Sequence, residues 1–192
     1  MVITDAVATP EVAGRSLAQL AEERGTTARD VIFDVLAAHA NRIDQPMAVG
    51  WSYTVDQIAT AAAHPLCAPS SDATTLSPDG PLRDHVFHGA YSWAAWTLST
   101  LVRDRAALTL EEAIRRMTSL PAGRAGLADR GVVRVGASAD LAVFDPERFR
   151  ATATFDDPNR LAEGMRHVVV NGVLQLRDGA PTGERGGRAL RA

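Results

Sequence analysis

One aspartate, Asp72, stands where residue type and context most favour catalysis. It directly follows the apolar residues 66–71, which predict a short strand or an extended segment. In α/β barrels the carboxyl ends of the strands carry the catalytic side chains. A carboxylate there can accept a proton from an attacking water and pass it to a leaving amine. The alternative role is structural, because aspartate also commonly stabilises turns.

Two histidines, His85 and His88, lie three residues apart, so a helix would place both on one face, as a metal pair requires. No third histidine and no cysteine is near them in the sequence, and Gly89 favours a loop or a helix start. The alternative for His88 is contact with a substrate at the mouth of a pocket. For His39 and His167 we predict structural roles.

Three aromatic residues follow: Tyr91, Trp93 and Trp96. They would either line an apolar substrate pocket, with Tyr91 in contact with the substrate, or pack in the core. Serines, histidines and aspartates are present, but the sequence lacks a Gly-X-Ser-X-Gly nucleophile elbow. A serine hydrolase is therefore not favoured.

The elements that would position these residues alternate between helix and strand over the first two thirds of the chain. Helices are predicted at residues 13–23, after the cap Thr27, at 55–64, at 89–103, and after Thr109, where Glu112 completes a capping-box pattern. A strand is predicted at residues 47–53, a short strand or an extended segment at 66–71, and a loop at 74–84. After Gly126 short runs rich in valine, including residues 132–135 and 141–144, predict further strands. This order is typical of an α/β fold.

Composition excludes several classes of function. The net charge of −3 over 192 residues and the pI of about 5.9 do not favour a nucleic-acid partner. The single cysteine, Cys67, excludes an internal disulfide and suits a reducing compartment. We find no run of about 18 apolar residues that would span a membrane and no signal peptide. A cytoplasmic protein without a membrane partner is expected.

The most specific pattern of the chain lies in residues 117–145. A predicted helix carries Thr118 and Pro121, and the glycine-spaced segment ADLAVFD follows at residues 139–145. HVVVNG at 167–172 continues the pattern, as do residues 152–155, 164–165, 182–183 and 187–190. In this order the motifs resemble the C-terminal part of the amidohydrolase superfamily, and within it the N-acyl-D-amino-acid deacylase (D-aminoacylase) branch.

The resemblance implies a fold and a division of the chain. Residues 1–128 would be the C-terminal part of a metal-dependent hydrolase (β/α)8 (TIM) barrel, and residues 129–192 part of a small composite β-sandwich domain. Ser71-Asp72 resembles the Ser-Asp pair at the end of the family's last barrel strand. Asp72 would thus be the general acid/base and a candidate ligand of zinc or a similar divalent metal.

The same resemblance implies a substrate, an N-acyl amino acid or a related small amide, with His88 and Tyr91 as candidate contacts. The sequence departs from the family's pattern at two places. Ala73 follows Asp72 where the family usually has glycine, and residues 87–89 lack the arginine that faces the substrate carboxylate in several deacylases. The second departure puts recognition of a free N-acyl amino acid in doubt.

The family's metal ligands are mostly missing. The chain has no His-X-His and no lysine, and one carboxylate cannot hold a catalytic zinc, which takes three protein ligands. We therefore expect these residues alone to be inactive and to need an N-terminal metal-binding part, which is either supplied by a complementing chain or lost by truncation. The alternative is a non-catalytic remnant that acts as a binding or interaction module. An open barrel would expose strand edges and apolar faces, so self-association is also expected.

Overall fold

The chain folds into two units, Met1–Thr54 and Val55–Ala192, each with its own core. The computed structural model describes residues 1–73, 77, 79–81, 83, 87 and 89–190. Within this described part, no helix combines the length and the apolar character needed to cross a lipid bilayer.

The first unit packs two helices on a two-stranded antiparallel sheet. Strand β1 (Val2–Asp5) pairs with β2 (Met47–Val49), and helices α1 (Leu17–Arg24) and α2 (Ala28–Ala38) lie between them in sequence. The core comprises apolar side chains from β1, the following 3-10 turn and the inner helix faces: Ile3, Ala6, Val12, Leu17, Leu20, Ala21, Val31 and Val35.

Local signals determine where these two helices begin and end. Ser16 and Thr27 cap α1 and α2 through capping boxes with Gln19 and Asp30. Gly25 ends α1 in the left-handed conformation, at a φ of 61°. The cap at Thr27 and the stop at Gly25 are confirmed.

His39 is buried at the end of α2, and its ring bonds only to backbone. Its Nδ1 lies 2.8 Å from the Val35 carbonyl oxygen and donates to it, and its Nε2 accepts from the Ala8 N–H at 2.9 Å. The structural role predicted for His39 is confirmed.

The second unit begins with helices. These are α3 (Val55–Ala63), α4 (Trp93–Trp96) continued by a π-helix (Thr97–Asp104), α5 (Leu110–Met117) and α6 (Ser119–Arg124). Thr109 caps α5 by accepting from the Glu112 N–H at 3.2 Å. The Glu112 carboxylate pairs with arginines of its own helix.

A four-stranded antiparallel sheet completes this unit, in the order β3-β4-β5-β6. Its strands are β3 (Leu141–Phe144), β4 (Met165–Val170), β5 (Val173–Arg177) and β6 (Ala180–Pro181). Asn171-Gly172 form the β4–β5 turn, both with positive φ. Helices and sheet share one core, in which Ala95, Leu98, Leu108, Ala113 and Phe149 are buried.

Two predicted strands do not form. Leu66 lies in a turn, residues 67–71 form neither helix nor strand, and residues 132–135 are irregular. Val135 is 100% exposed, which indicates that a strand needs a partner to form, whatever its β propensity. The predicted strand at residues 47–53 is shorter, Met47–Val49.

The described strands form antiparallel pairs only. The mixed helix and sheet content agrees with the predicted α/β class. The TIM barrel and the boundary at residue 128 stay predictions.

Candidate functional site

Asp72 is exposed and follows the irregular residues 67–71. Its φ is 51°, a left-handed conformation that aspartate adopts more readily than most residues. The Asp72 N–H donates to Ser70 Oγ at 3.3 Å, and the Ala73 N–H donates to Ser71 Oγ at 3.1 Å. These two bonds form a tight turn that presents the carboxylate outward.

The Asp72 carboxylate has no hydrogen-bond partner within the described residues. Its only recorded hydrogen bond there uses the backbone N–H. A carboxylate that caps a helix or a turn accepts from a backbone N–H, and no N–H of the described residues donates to this one; residues 74–76 lie outside that part of the chain.

A buried arginine anchors the beginning of the segment that ends at Asp72. Arg116, on α5, is 4% exposed. Its guanidinium donates to backbone carbonyl oxygens at the carboxyl end of α3: that of Ala62, that of His64 at 2.7 Å and that of Ala63 at 3.4 Å. A helix leaves its last carbonyl groups without intrahelical donors, and at the end of α3 the Arg116 guanidinium provides the missing donors.

Three further hydrogen bonds continue this anchoring. The Cys67 N–H donates to the His64 carbonyl oxygen at 2.9 Å, and the Leu66 N–H donates to His64 Nδ1 at 3.2 Å. From α6, Arg124 donates to the Leu66 carbonyl oxygen at 3.1 Å. His64 therefore has a structural role in the turn after α3.

Glu112 balances the positive charge of Arg116. Its carboxylate accepts from Arg115 at 2.7 and 2.8 Å and from Arg116 at 2.6 Å. These bonds, the Arg115 pair first, lower the pKa of Glu112 from 4.5 to about 2. The buried positive charge of Arg116 is thus paired with an adjacent carboxylate.

Arg116 was not among the residues predicted from the sequence to shape the site. The available signal was its spacing from Ala113: residues i and i+3 share a helix face, and Ala113 is fully buried. An arginine on the apolar face of an amphipathic helix needs buried acceptors, so its position alone indicated a partner.

The other predicted site residues are placed only in part. His88, and His85 of the suggested metal pair, lie outside the described residues. Tyr91 is half-buried in the turn before α4, and Trp93 and Trp96 are half-buried at the two ends of that helix. Within the described part of the chain, no hydrogen bond joins Tyr91 to Asp72.

Metal-binding side chains do not converge in the described structure. Among those residues there is no group of three or more His, Cys, Asp or Glu that could hold a metal ion. The described residues by themselves therefore do not fit a catalytic zinc, whose site needs three protein ligands.

The conspicuous sequence motifs of residues 139–145 and 167–172 prove to be structural. Asp140 accepts from the Asn171 N–H at 2.7 Å and pairs with buried Arg130. Arg130 also donates to Asn171 Oδ1 at 2.6 Å, and Asn171 Nδ2 donates to the Gly186 carbonyl oxygen at 2.6 Å. This network joins β3, the β4–β5 turn and the C-terminal segment.

Comparison with known proteins gives a consistent result. Residues 5–174 match the amidohydrolase family. N-acyl-D-glutamate deacylase and D-aminoacylase from Alcaligenes xylosoxydans xylosoxydans are each 35% identical to the chain, over 184 and 185 residues. The alignments include 95% and 94% of this chain but 34% of each relative. The chain thus spans about a third of the length of the curated relatives that it matches.

Solved structures agree over the whole chain. The crystal structure of D-aminoacylase that defines a novel subset of amidohydrolases matches with a TM-score of 0.80 and 31% identity. A second D-aminoacylase structure, from work on its binuclear metal center, matches with a TM-score of 0.79 and 31% identity. N-acyl-D-glutamate deacylase from Bordetella bronchiseptica, complexed with zinc and a phosphonate mimic of the tetrahedral intermediate, gives 0.74 at 32%. Each match covers 100% of this chain and 37% of the other.

Proposed function

The chain belongs to the amidohydrolase family, and we propose that it is the C-terminal portion of a deacylase that hydrolyses the amide bond of an N-acyl-D-amino acid. The names of its relatives, N-acyl-D-glutamate deacylase and D-aminoacylase, support this substrate class. Within the whole enzyme, residues 1–128 belong to a TIM barrel and residues 129–192 to a small β-sandwich domain. The single cysteine favours the cytoplasm.

In this proposal Asp72 is the general acid/base. It accepts the proton of the attacking water and delivers it to the nitrogen of the leaving amine. The observation that carries the assignment is the Asp72 carboxylate itself, exposed, turned outward and without a hydrogen-bond partner among the described residues. His88 and Tyr91 are proposed to contact the substrate beside it.

The metal that this chemistry requires, zinc or a similar divalent ion, is proposed to be held mostly by residues outside this sequence. Asp72 could supply at most one of its ligands, and the described residues hold no cluster that would complete the site. The 192 residues alone are therefore expected to be inactive. A complementing N-terminal portion, on the same polypeptide or on another chain, would provide the other ligands.

Exposed apolar residues support the proposal that a further part of the enzyme packs on this chain. Val133 is 87% and Val135 100% exposed, and both lie in the segment that was predicted to be a strand. The alternative, a non-catalytic interaction module, is not favoured, because the similarity to deacylases extends over 95% of the chain.

A hybrid enzyme tests the proposal. Residues 1–192 replace the matching C-terminal third of the Alcaligenes D-aminoacylase, and hydrolysis of N-acetyl-D-glutamate and N-acetyl-D-methionine is measured with zinc added. We expect activity from the hybrid and none from the 192 residues alone. Asp72→Asn should lower kcat by about 10²- to 10⁴-fold, the usual contribution of a general acid/base.

Asp79→Asn is the matched control, since Asp79 is also exposed and lies in the loop that follows. It should leave kcat unchanged. Turnover by the isolated chain would contradict the need for a complementing portion, and full activity of the Asp72→Asn hybrid would contradict the role of Asp72.

A further inference from the structure

We propose that Arg116 is a positioning residue for Asp72: its buried guanidinium holds the carboxyl end of α3 and thereby sets the path of the segment that ends at Asp72. This inference rests on the role proposed for Asp72. Arg116 would not touch the substrate; it would act through the backbone.

The contacts of Arg116 place it at the origin of that segment. Its donors reach carbonyl oxygens of Ala62, Ala63 and His64, the last residues of α3 and the first beyond it. A cation is favoured at this end of a helix, because the helix dipole is negative there. One planar guanidinium carries five N–H donors, so it can serve three carbonyls and Glu112 together.

The position set at α3 is transmitted over a short distance. The Cys67 N–H is bonded to His64, and Arg124 holds the Leu66 carbonyl. Beyond Cys67 the chain reaches Asp72 through residues 68–71, in which Pro69 has a fixed φ. The Ser70 hydroxyl then accepts from the Asp72 N–H. Four residues therefore separate the anchored Cys67 from Asp72, so a shift at the end of α3 would be passed along this short stretch of backbone.

The neighbouring arginine provides a natural comparison. Arg115 pairs with the same Glu112 carboxylate, but its side chain is 44% exposed against 5% for Arg116. Its recorded hydrogen bonds go to Glu112 and none to α3. Removal of Arg115 therefore perturbs Glu112 without releasing the carboxyl end of α3.

The only cysteine of the chain reports on this segment. Cys67 is half-buried between the anchor and Asp72, so a thiol reagent such as DTNB measures how often the segment opens. In the full 192-residue chain we expect Arg116→Ala to raise the labelling rate about tenfold or more, since loss of one charge-assisted hydrogen bond of about 1.4 kcal/mol corresponds to that ratio. Arg115→Ala should leave the rate within about twofold.

Two further variants separate local release from general destabilisation. Gly164→Ala weakens the same unit at a distant place, where a Cβ would lie 2.5 Å from the backbone of Arg148 and Phe149, and should not raise labelling under native conditions. Arg116→Lys keeps the charge but has fewer N–H donors, so its labelling rate should lie between those of the wild type and of Arg116→Ala. If Arg116→Ala fails to fold, the comparison of Arg116→Lys with Arg115→Lys decides instead. Equal rates in either pair of variants overturn the proposal.

The hybrid enzyme tests the functional consequence. There Arg116→Lys should lower kcat about tenfold with KM nearly unchanged, because a displaced proton carrier slows the chemical step without loss of substrate contacts. Accelerated labelling together with unchanged kcat would refute Arg116 as a positioning residue. An Asp72→Asn hybrid with full activity would instead refute the proposed function, while the labelling rates would still show whether Arg116 anchors the segment.

Discussion

Replacement of Arg130 by alanine should be among the most damaging single changes in the second unit. Arg130 is 9% exposed, and its guanidinium is the one buried charge between β3 and the β4–β5 turn in the described structure. It pairs with Asp140 and donates to Asn171 Oδ1 at 2.6 Å. The substitution removes both bonds and leaves their acceptors behind.

The size of the expected loss of stability follows from these two interactions. A hydrogen bond to a charged group contributes about 1.5–3 kcal/mol, so the pair would amount to roughly 3–6 kcal/mol. Two observations reduce that figure. The Asp140 side chain is 32% exposed and can regain water, and Arg130 Nε is buried without a hydrogen-bond partner in the described structure. We therefore expect the free energy of unfolding to fall by about 3 kcal/mol.

Urea denaturation followed by circular dichroism measures this loss directly, provided that the slope m does not change. Arg134→Ala is the matched control, because Arg134 is exposed and makes a single bond to the Ala128 carbonyl oxygen at 2.9 Å. Arg134→Ala should change the free energy of unfolding by no more than about 0.5 kcal/mol. If the two variants were equally stable, the network around Asp140 would not hold the sheet together, and the reasoning would be wrong.

Two other changes test the backbone and the electrostatics. Gly164→Ala should lower the stability measured by thermal denaturation by about 3 kcal/mol or more, since its Cβ would lie 2.5 Å from backbone atoms. Gly183→Ala is the control, because Gly183 has a similar positive φ but open space around it, and it should lower the stability by about 1–2 kcal/mol. Equal losses of stability in the two variants would contradict a steric cause. Because Arg115 and Arg116 lower the pKa of Glu112 to about 2, its stabilising effect is complete above its ordinary pKa of 4.5 and is lost as the pH falls toward 2. The stability difference between wild type and Glu112→Gln should shrink over that interval, and a difference independent of pH would show that the carboxylate's charge is not involved.

Helix ends were predictable because they depend on neighbours in the chain. Thr27 and Thr109 accept hydrogen bonds from backbone N–H groups three residues later, and Gly25 adopts a positive φ that side chains disfavour. The Asn171-Gly172 turn follows from the same kind of local preference. The family could also be identified from the sequence, since its motifs keep their order and spacing.

Pairing of strands was less predictable, because it depends on partners distant in sequence. Residues 132–135 carry the β-branched residues of a strand, yet Val135 is wholly exposed and no strand of the described structure pairs with them. Leu66 is held by a side chain of α6, and His64 before it by one of α5, whereas no strand of the described structure pairs with residues 66–71.

For the site, the chain order alone indicated that Asp72 follows a short apolar segment. The hydroxyls of Ser70 and Ser71 that shape its turn are within two residues of the N–H groups they bind. Local spacing decides such features. The anchoring of that segment by Arg116 crosses 52 residues of sequence. An arginine side chain can reach several backbones, and only the packing of α5 against the end of α3 selects which carbonyls it binds.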